Sequence, residues 1–103
     1  NSSGIQLRLT VVKGNTPGLS WGFILHDKTL IGRSSASDIQ IPDDPEISGK
    51  HFVLSREAEE LFLKDAGSTN GTMVNGVYIK TAFRLQDGDQ ITAGRTVLRL
   101  TRA

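Results

Sequence analysis

The sequence of 103 residues contains no cysteine. This excludes disulfide bridges, thiolate metal ligands and a cysteine nucleophile, and it agrees with a reducing, intracellular setting. No apolar run approaches the roughly 20 residues that a membrane-spanning helix needs. The first residues have neither the basic nor the apolar stretch of a secretory signal peptide. We therefore predict no membrane partner.

An excess of charge of either sign is also lacking, because 12 Lys and Arg residues oppose 11 Asp and Glu residues and the formal net charge is +1. Proteins that bind DNA or RNA gain much of their affinity by neutralising several phosphates at once. Aromatic residues make up only 6% of the chain, and no basic stripe contains them in the pattern typical of base stacking. The sequence thus predicts no nucleic-acid partner, while a focused site for one anion is compatible with the charge balance.

A chain of this length supports one modest hydrophobic core. Apolar residues recur at every second position in many short stretches, such as Ile5 to Val11, and no stretch keeps the 3.6-residue period of an amphipathic helix over three turns. Such alternation is typical of half-buried strands. Further strands are predicted at 22–25, 29–32, 38–41, 51–55, 61–64, 73–74, 77–79, 82–85, 90–92 and 96–100. Many short strands indicate an all-β sandwich.

Turn residues separate these strands. Asn75-Gly76 is the clearest hairpin signal, because both residues tolerate positive φ, and a second turn is predicted at 42–45. The segment 55–63 contains good helix formers but lacks an apolar stripe and is short, so we predict a solvated hairpin loop there. Residues 1–4 are interpreted as an expression remnant or a disordered start, and residues 5–101 as the domain.

Patterns for catalysis and metal binding are missing. Ser48 lies three residues before His51 at a predicted strand start, but no nucleophile elbow or oxyanion hole can be identified. His26 and His51 lack the supporting carboxylate spacing of a zinc site. The sequence around residues 44–51 also lacks the first glycine and the final Ser or Thr of a P-loop. We therefore predict no enzyme activity, no catalytic residue, no metal and no cofactor.

Three polar stretches lie beside predicted strand ends, at residues 32–35, 48–51 and 68–72. Each one alone is an ordinary strand end or turn. Together they supply one fixed cation, several hydroxyl groups, an amide side chain and glycines whose backbone N–H groups can approach a ligand. These are the components of a site for a single phosphate, although the spacing alone does not show that they converge.

The order of the motifs resembles that of a forkhead-associated (FHA) domain. The matching segments are Leu30-Ile31-Gly32-Arg33, Ser37-Asp38-Ile39-Gln40-Ile41, Ile47-Ser48-Gly49-Lys50-His51, Leu63-Lys64-Asp65, Gly67-Ser68-Thr69-Asn70-Gly71-Thr72, Val74-Asn75-Gly76 and Leu85-Gln86-Asp87-Gly88-Asp89. The resemblance covers nearly the whole chain, from about Ile5 to Leu100. The resemblance implies a two-sheet antiparallel β-sandwich of about eleven strands. It also implies that loops at one end bind a phosphothreonine-containing segment of a signalling partner inside the cell, in the nucleus or the cytoplasm.

The resemblance further implies a role for each site residue. The phosphopeptide-binding set is Arg33 for the phosphate, Ser48 as a hydroxyl donor, Gly49 through its backbone N–H, Thr69 beside the phosphothreonine and Asn70 on the peptide backbone. Additional contacts are assigned to Ser34 and Lys50, and structural positions to Gly32, His51, Gly71 and Asn75. A preference for phosphothreonine over phosphoserine, and selection by the third residue after it, are also implied.

Two features are expected to weaken this site. In the family, the position after Ser48 often carries a polar or basic side chain, whereas Gly49 offers only its backbone N–H. The segment before Ser48 contains Asp43, Asp44 and Glu46, and like charges reduce attraction for an anion. We therefore expect micromolar affinity, equivalent to about −8 kcal/mol, and a monomeric isolated domain. The alternative is a phosphorylation-independent interaction or dimerisation module of the same fold.

Overall fold

The computed structural model describes residues 4–41 and 43–102, and every regular element in these ranges is a β-strand. The strands are β1 (Ile5–Lys13), β2 (Ser20–Leu25), β3 (Lys28–Gly32), β4 (Ile39–Gln40), β5 (Phe52–Glu57), β6 (Glu60–Asp65), β7 (Thr72–Val74), β8 (Val77–Tyr78), β9 (Phe83–Leu85), β10 (Gln90–Ala93) and β11 (Thr96–Arg102). The predicted all-β class is confirmed. Residues 1–3 of the predicted remnant and Pro42 of a predicted turn lie outside the described residues.

The strands form two sheets. One has six strands in the order β2-β1-β11-β10-β7-β8, and the other has five in the order β4-β3-β5-β6-β9. The strand pairs are antiparallel as predicted, except that β3 and β4 are parallel, with Ile31 opposite Ile39. The chain from 33 to 38 crosses back before β4 begins, so β4 joins the sheet edge in the same direction as β3.

The hydrophobic core lies between the two sheets. The alternating residues of β1 supply Leu7, Leu9 and Val11 to it, and β5 supplies Phe52 and Leu54. Burying one such side chain contributes about 1.5 to 3 kcal/mol relative to leaving it exposed. The alternation therefore places apolar side chains between the sheets, and their burial stabilises the sandwich. The two packed sheets hold the ends of the connecting loops in fixed positions.

The segment from 55 to 63 is more ordered than the predicted loop. Strand β5 continues to Glu57 and β6 begins at Glu60, leaving only Ala58 and Glu59 in the turn. Leu61 and Leu63 are buried, and this burial outweighs the helix preference of the charged residues between the strands. Ala58 adopts a φ of 54°, a left-handed conformation that glycine usually provides.

The β7–β8 hairpin is confirmed. Met73 pairs with Tyr78 and Val74 with Val77, so Asn75 and Gly76 form a two-residue turn. Both have positive φ, 51° and 84°, which fits the conformation that an Asn-Gly turn favours. The hairpin places β8 at the edge of the six-stranded sheet.

Candidate functional site

Three loops meet at one end of the sandwich: β3–β4 (33–38), β4–β5 (described residues 41 and 43–51) and β6–β7 (66–71). We call them the loop cluster. The backbone N–H of Arg33 donates to the carbonyl of Ser48 (3.0 Å), and the N–H of Thr69 donates to the Ser48 hydroxyl oxygen (2.9 Å). Ser48 therefore connects all three loops, and the polar stretches of the sequence converge around it.

Arg33 carries an exposed guanidinium group at the loop cluster. Its Nε donates to the carbonyl of Ile47 (2.9 Å), and its own carbonyl accepts a hydrogen bond from the side chain of Gln40 (3.0 Å). No carboxylate in the described part of the chain forms a salt bridge with Arg33. The Nε bond thus orients the side chain and leaves its two terminal NH₂ groups available to an anion.

Ser48 and Gly49 place further donors close to Arg33. Because the Ser48 oxygen accepts the Thr69 N–H, its hydroxyl hydrogen is left to donate. The Gly49 carbonyl accepts from the backbone N–H of Ser34 (3.1 Å) and from the hydroxyl of Ser37 (2.8 Å). Within residues 4–41 and 43–102, the Gly49 N–H has no protein acceptor. The arrangement offers donors of three kinds to a small anion.

His51 lies beneath the loop cluster and is completely buried. Its Nδ1 accepts the backbone N–H of Ser48 (3.0 Å), which places the ring proton on Nε2, where it donates to the carbonyl of Gly71 (2.8 Å). Both ring nitrogens are therefore used within the protein. His51 connects the β4–β5 loop to the β6–β7 loop and has no atom available to a ligand.

Gly32 is surrounded by the same loops. A Cβ atom at this position would overlap the carbonyl oxygen of Gly49 and lie 2.8 Å from the hydroxyl oxygen of Ser37. Glycine therefore allows the end of β3 to approach the backbone beside Ser48. This close approach places the next residue, Arg33, beside Ser48 and Gly49.

The β6–β7 loop is held by Asp65, which was not among the predicted site residues. Its carboxylate accepts hydrogen bonds from the backbone N–H groups of Gly67 and Ser68 and from the hydroxyl groups of Ser68 and Thr72. Burial alone would raise the pKa of Asp65, but these hydrogen bonds stabilise the carboxylate and hold the pKa below its usual value. The spacing of Asp65 before Gly67 and Ser68 is a local turn signal that could have identified it.

Asn70 and Thr69 occupy the exposed tip of the same loop. One N–H of the Asn70 side chain donates to the carbonyl of Glu46 (2.9 Å). This contact fixes the orientation of the amide relative to the β4–β5 loop, while its oxygen accepts no hydrogen bond from the described residues. The Asn70 amide can therefore still bind a polar backbone group of a ligand.

The acidic segment before Ser48 was expected to repel an anion, but most of its carboxylates are paired within the protein. Asp44 is only 1% exposed, and its carboxylate accepts from the backbone N–H groups of Glu46 and Arg95 and from the hydroxyl of Thr96. The Glu46 carboxylate forms a salt bridge with Arg95 (2.7 Å). Two of the three acidic side chains, Asp44 and Glu46, are therefore paired within the protein, because Arg95 and Thr96 lie beside them in the fold. Asp43 remains exposed.

Protonation of the buried Asp44 carboxylate is expected to make the domain less stable in acid. Burial would raise its pKa, but hydrogen bonds from Thr96, Glu46 and Arg95 keep the pKa below the ordinary value of 3.8. A carboxyl group whose pKa is lowered by folding adds stability above its unfolded pKa, and this contribution is lost as the pH falls through the folded value. In urea unfolding, Asp44→Asn should lower the unfolding free energy by about 2 kcal/mol at pH 7. The unfolding free energy of this variant should also fall less as the pH is lowered from 5 to the folded pKa of Asp44.

Asp43→Asn is the matched control, because it removes the same charge from an exposed neighbour. Its unfolding free energy should stay within about 0.5 kcal/mol of the unmodified protein at pH 7. Equal unfolding free energies of the two variants would contradict the role assigned to Asp44. So would an Asp44→Asn protein whose unfolding free energy falls with pH as steeply as that of the unmodified domain.

The remaining predicted residues are arranged as follows. Asn75 lies at the opposite end of β7 from Gly71, where its side chain bonds Asp89 and the N–H of Gln90 (both 3.0 Å). Gly71 has a φ of 81°. The Ser34 hydroxyl accepts the N–H of Ala36 (3.0 Å), and Lys50 is exposed. Asn75 therefore holds a distant turn, whereas Ser34 and Lys50 lie in the loop cluster.

In residues 4–41 and 43–102, no group of three or more His, Asp or Glu side chains could hold a metal ion. The same part of the chain has no helix of the length and apolarity needed to cross a membrane.

Comparisons with known proteins agree with this architecture. The FHA domain-containing protein FhaB of Mycobacterium tuberculosis is 37% identical over 71 residues, which cover 69% of this chain and 45% of FhaB. The chain thus spans less than half the length of that relative.

Solved structures extend the similarity to the whole fold. The solution structure of the FHA domain of an Arabidopsis thaliana hypothetical protein has a TM-score of 0.87 and 31% identity, covering 100% of this chain and 92% of that one. A structure from a study of phosphothreonine-dependent FHA domain interactions has a TM-score of 0.80 and 26% identity, covering 93% and 95%. The family model for the FHA domain matches residues 29–94, more than half of the chain. The chain therefore belongs to the FHA domain family.

Proposed function

We propose that this domain binds a phosphothreonine-containing segment of a partner protein through the loop cluster. The observation that carries the proposal is the Arg33 guanidinium, which is oriented by its Nε bond to Ile47 and has no carboxylate partner among the described residues. The similarity to a domain studied for phosphothreonine-dependent interactions supports the same ligand class.

The donors of the loop cluster match the chemistry of a phosphate ester. Phosphothreonine carries about −1.5 to −2 charges at neutral pH and has three acceptor oxygens. The terminal NH₂ groups of Arg33 supply charge and a planar pair of donors, and Ser48 and Gly49 supply a hydroxyl and a backbone N–H. Every one of these groups donates, so the site favours a fully ionised acceptor.

Thr69 and Asn70 are proposed to contact the peptide around the phosphothreonine. The Asn70 amide has an available oxygen and is held at a fixed orientation by Glu46, so it can bind the peptide backbone with little dependence on sequence. A small space for the threonine methyl group would favour phosphothreonine over phosphoserine by roughly 1 kcal/mol. The phosphate and backbone contacts would then give affinity, and contacts with neighbouring side chains would select the partner.

The proposed role is recognition without catalysis, in intracellular signalling, by a domain that is monomeric when isolated. Members of the FHA family are recognition modules. The donors of the loop cluster are held by internal hydrogen bonds, and none is arranged as a nucleophile next to a general base. The match covers 45% of the length of FhaB.

Calorimetric titration with matched peptides tests the proposed function. One peptide carries phosphothreonine, a second carries phosphoserine and a third carries unmodified threonine in the same sequence. We expect micromolar binding of the phosphothreonine peptide, weaker binding of the phosphoserine peptide and no measurable heat with the unmodified peptide. Equal affinity for the first and third peptides would reject phosphorylation-dependent recognition and would favour the alternative interaction module.

A further inference from the structure

The outer face of the five-stranded sheet contains an open hollow of about 530 Å³. We call it the outer hollow. The residues that line it are Lys28, Val53, Ser55, Lys64, Asp65 and Ala66. It lies on the side of the sheet that faces away from the core, and it is separate from Arg33, Ser48 and Thr69.

Strand register explains how the outer hollow forms. Val53 lies between Leu30 and Lys64 in one cross-strand row, and Ser55 lies between Lys28 and Phe62 in the next row. The centre of this face is therefore half-buried and partly apolar, whereas Lys28 and Lys64 are exposed beside it. Because lysine has a long apolar stem and a charged end, the two side chains can border a shallow site and present positive charge above it.

The charges around the outer hollow favour an acidic ligand. Within the described ranges, neither Lys28 nor Lys64 takes part in a salt bridge. Asp65 also lines the outer hollow, but its carboxylate accepts hydrogen bonds from Ser68 and Thr72. Asp27 is the sequence neighbour of Lys28 and is exposed, so it reduces the local positive charge. The two lysine ammonium groups are nevertheless the charged groups that border the hollow and remain available.

The outer hollow is continuous with the loop cluster. Asp65 and Ala66 line it. Asp65 ends β6, and Ala66 is the first residue of the loop that carries Thr69 and Asn70. Lys28 and Gly32 occupy the two ends of β3, a separation of about 13 Å at the usual rise of a strand. An extended peptide covers about 3.3 to 3.6 Å per residue, so acidic residues within several positions of a phosphothreonine could reach both lysines.

The weakness of exposed ion pairs limits which kind of ligand the outer hollow can bind. One such pair raises an association constant by only about 1.4-fold to fivefold, so two lysines cannot hold a separate partner tightly. A segment already bound at the loop cluster has a high effective concentration at the outer hollow. The surface is therefore effective only for an acidic stretch in the same chain as the phosphothreonine.

We propose that the outer hollow binds a pair of Asp or Glu side chains in the phosphorylated partner, on the same chain as the phosphothreonine. This inference rests on the proposed function of the loop cluster and adds a second contact to it. The carboxylates pair with Lys28 and Lys64, while the chain between them packs on Val53 and Ser55. The partner is thus recognised by one phosphate and by acidic residues several positions away.

Three synthetic phosphothreonine peptides test the proposal by calorimetry. The first has neutral flanks of Gly and Ser, and the other two carry a pair of glutamates about five to eight residues before or after the phosphothreonine, a distance set by the reach of an extended chain. We expect one glutamate peptide to bind about threefold to tenfold more tightly than the neutral peptide. The gain should fall as salt is raised toward 1 M.

The variant Lys28→Gln/Lys64→Gln should lose this gain and keep the affinity of the neutral phosphopeptide, which also shows that it is folded. The control Lys13→Gln/Arg99→Gln removes the same charge from the six-stranded sheet and should keep the gain. No gain with either glutamate peptide, a gain that persists in the lysine variant, or equal loss in the control would overturn the proposal. Failure of the neutral phosphopeptide to bind better than its unphosphorylated form would reject both the proposed function and this inference.

Discussion

Replacing Arg33 with alanine is expected to weaken phosphothreonine-peptide binding by about 2 to 5 kcal/mol, as for removal of one partner from a desolvated charge pair. The guanidinium is oriented by Ile47 and would be the cation in direct contact with the phosphate. Its removal leaves Ser48 and Gly49 as neutral donors. Because the side chain is exposed and outside the core, the unfolding free energy should change little.

Arg33→Lys separates the effect of charge from that of geometry. Lysine keeps the positive charge but has neither the Nε that bonds Ile47 nor the planar pair of donors. We expect its affinity to lie closer to that of Arg33→Ala than to that of the unmodified domain. Titration calorimetry at fixed salt measures both, with Arg99→Ala on the other sheet as the control for lost charge. Full affinity in a folded Arg33→Ala protein would remove Arg33 from the proposed phosphate contact.

Gly32→Ala is expected to lower the unfolding free energy by about 3 kcal/mol or more, since overpacking of a rigid site typically costs 1 to 3 kcal/mol and sometimes exceeds that. The added methyl group would overlap the carbonyl oxygen of Gly49 and approach the Ser37 hydroxyl. The overlapping atoms of Gly49 belong to the backbone, so they cannot turn away as the end of a flexible side chain could. Such a loss is large beside the total stability of about 5 to 15 kcal/mol that small domains have.

Gly49→Ala provides the matched control on the other side of this contact. Its added Cβ would lie 3.4 Å from the Cβ of Ser34, which is an ordinary contact, so urea unfolding should show a change below about 1 kcal/mol. The Gly32 variant should also bind phosphopeptide more weakly, because Arg33 would move with the displaced strand end. Similar unfolding midpoints for the two variants would contradict the close approach of β3 to Gly49.

Much of the fold could be predicted from short-range patterns. Alternation in β1 predicted a half-buried strand, and Asn75-Gly76 predicted a hairpin, because both signals depend on neighbouring residues. The direction of β4 and the tight turn at Ala58 could not be obtained in this way. The first depends on how the chain crosses the loop cluster, and the second on burial of Leu61 and Leu63, which outweighs local preference.

For the candidate site, the sequence predicts a set of residues but not their arrangement. The motif order named Arg33, Ser48 and Asn70, yet only the folded chain shows that the β3–β4, β4–β5 and β6–β7 loops are joined at Ser48. The sequence alone indicates that Asp44 repels an anion, because its partners Arg95 and Thr96 are about fifty residues away along the chain. Contacts of that range leave no local signature.

The buried His51 also has a consequence for the kinetics of recognition. It holds Ser48 and Gly71 in place from below through its two ring nitrogens, so the loops need little rearrangement when a ligand arrives. Association of different phosphopeptides should then proceed at similar rates, in the range of about 10⁵ to 10⁷ M⁻¹s⁻¹ for partners that dock without reorganisation. Partners would differ mainly in how long each complex lasts, and the domain would distinguish them by residence time.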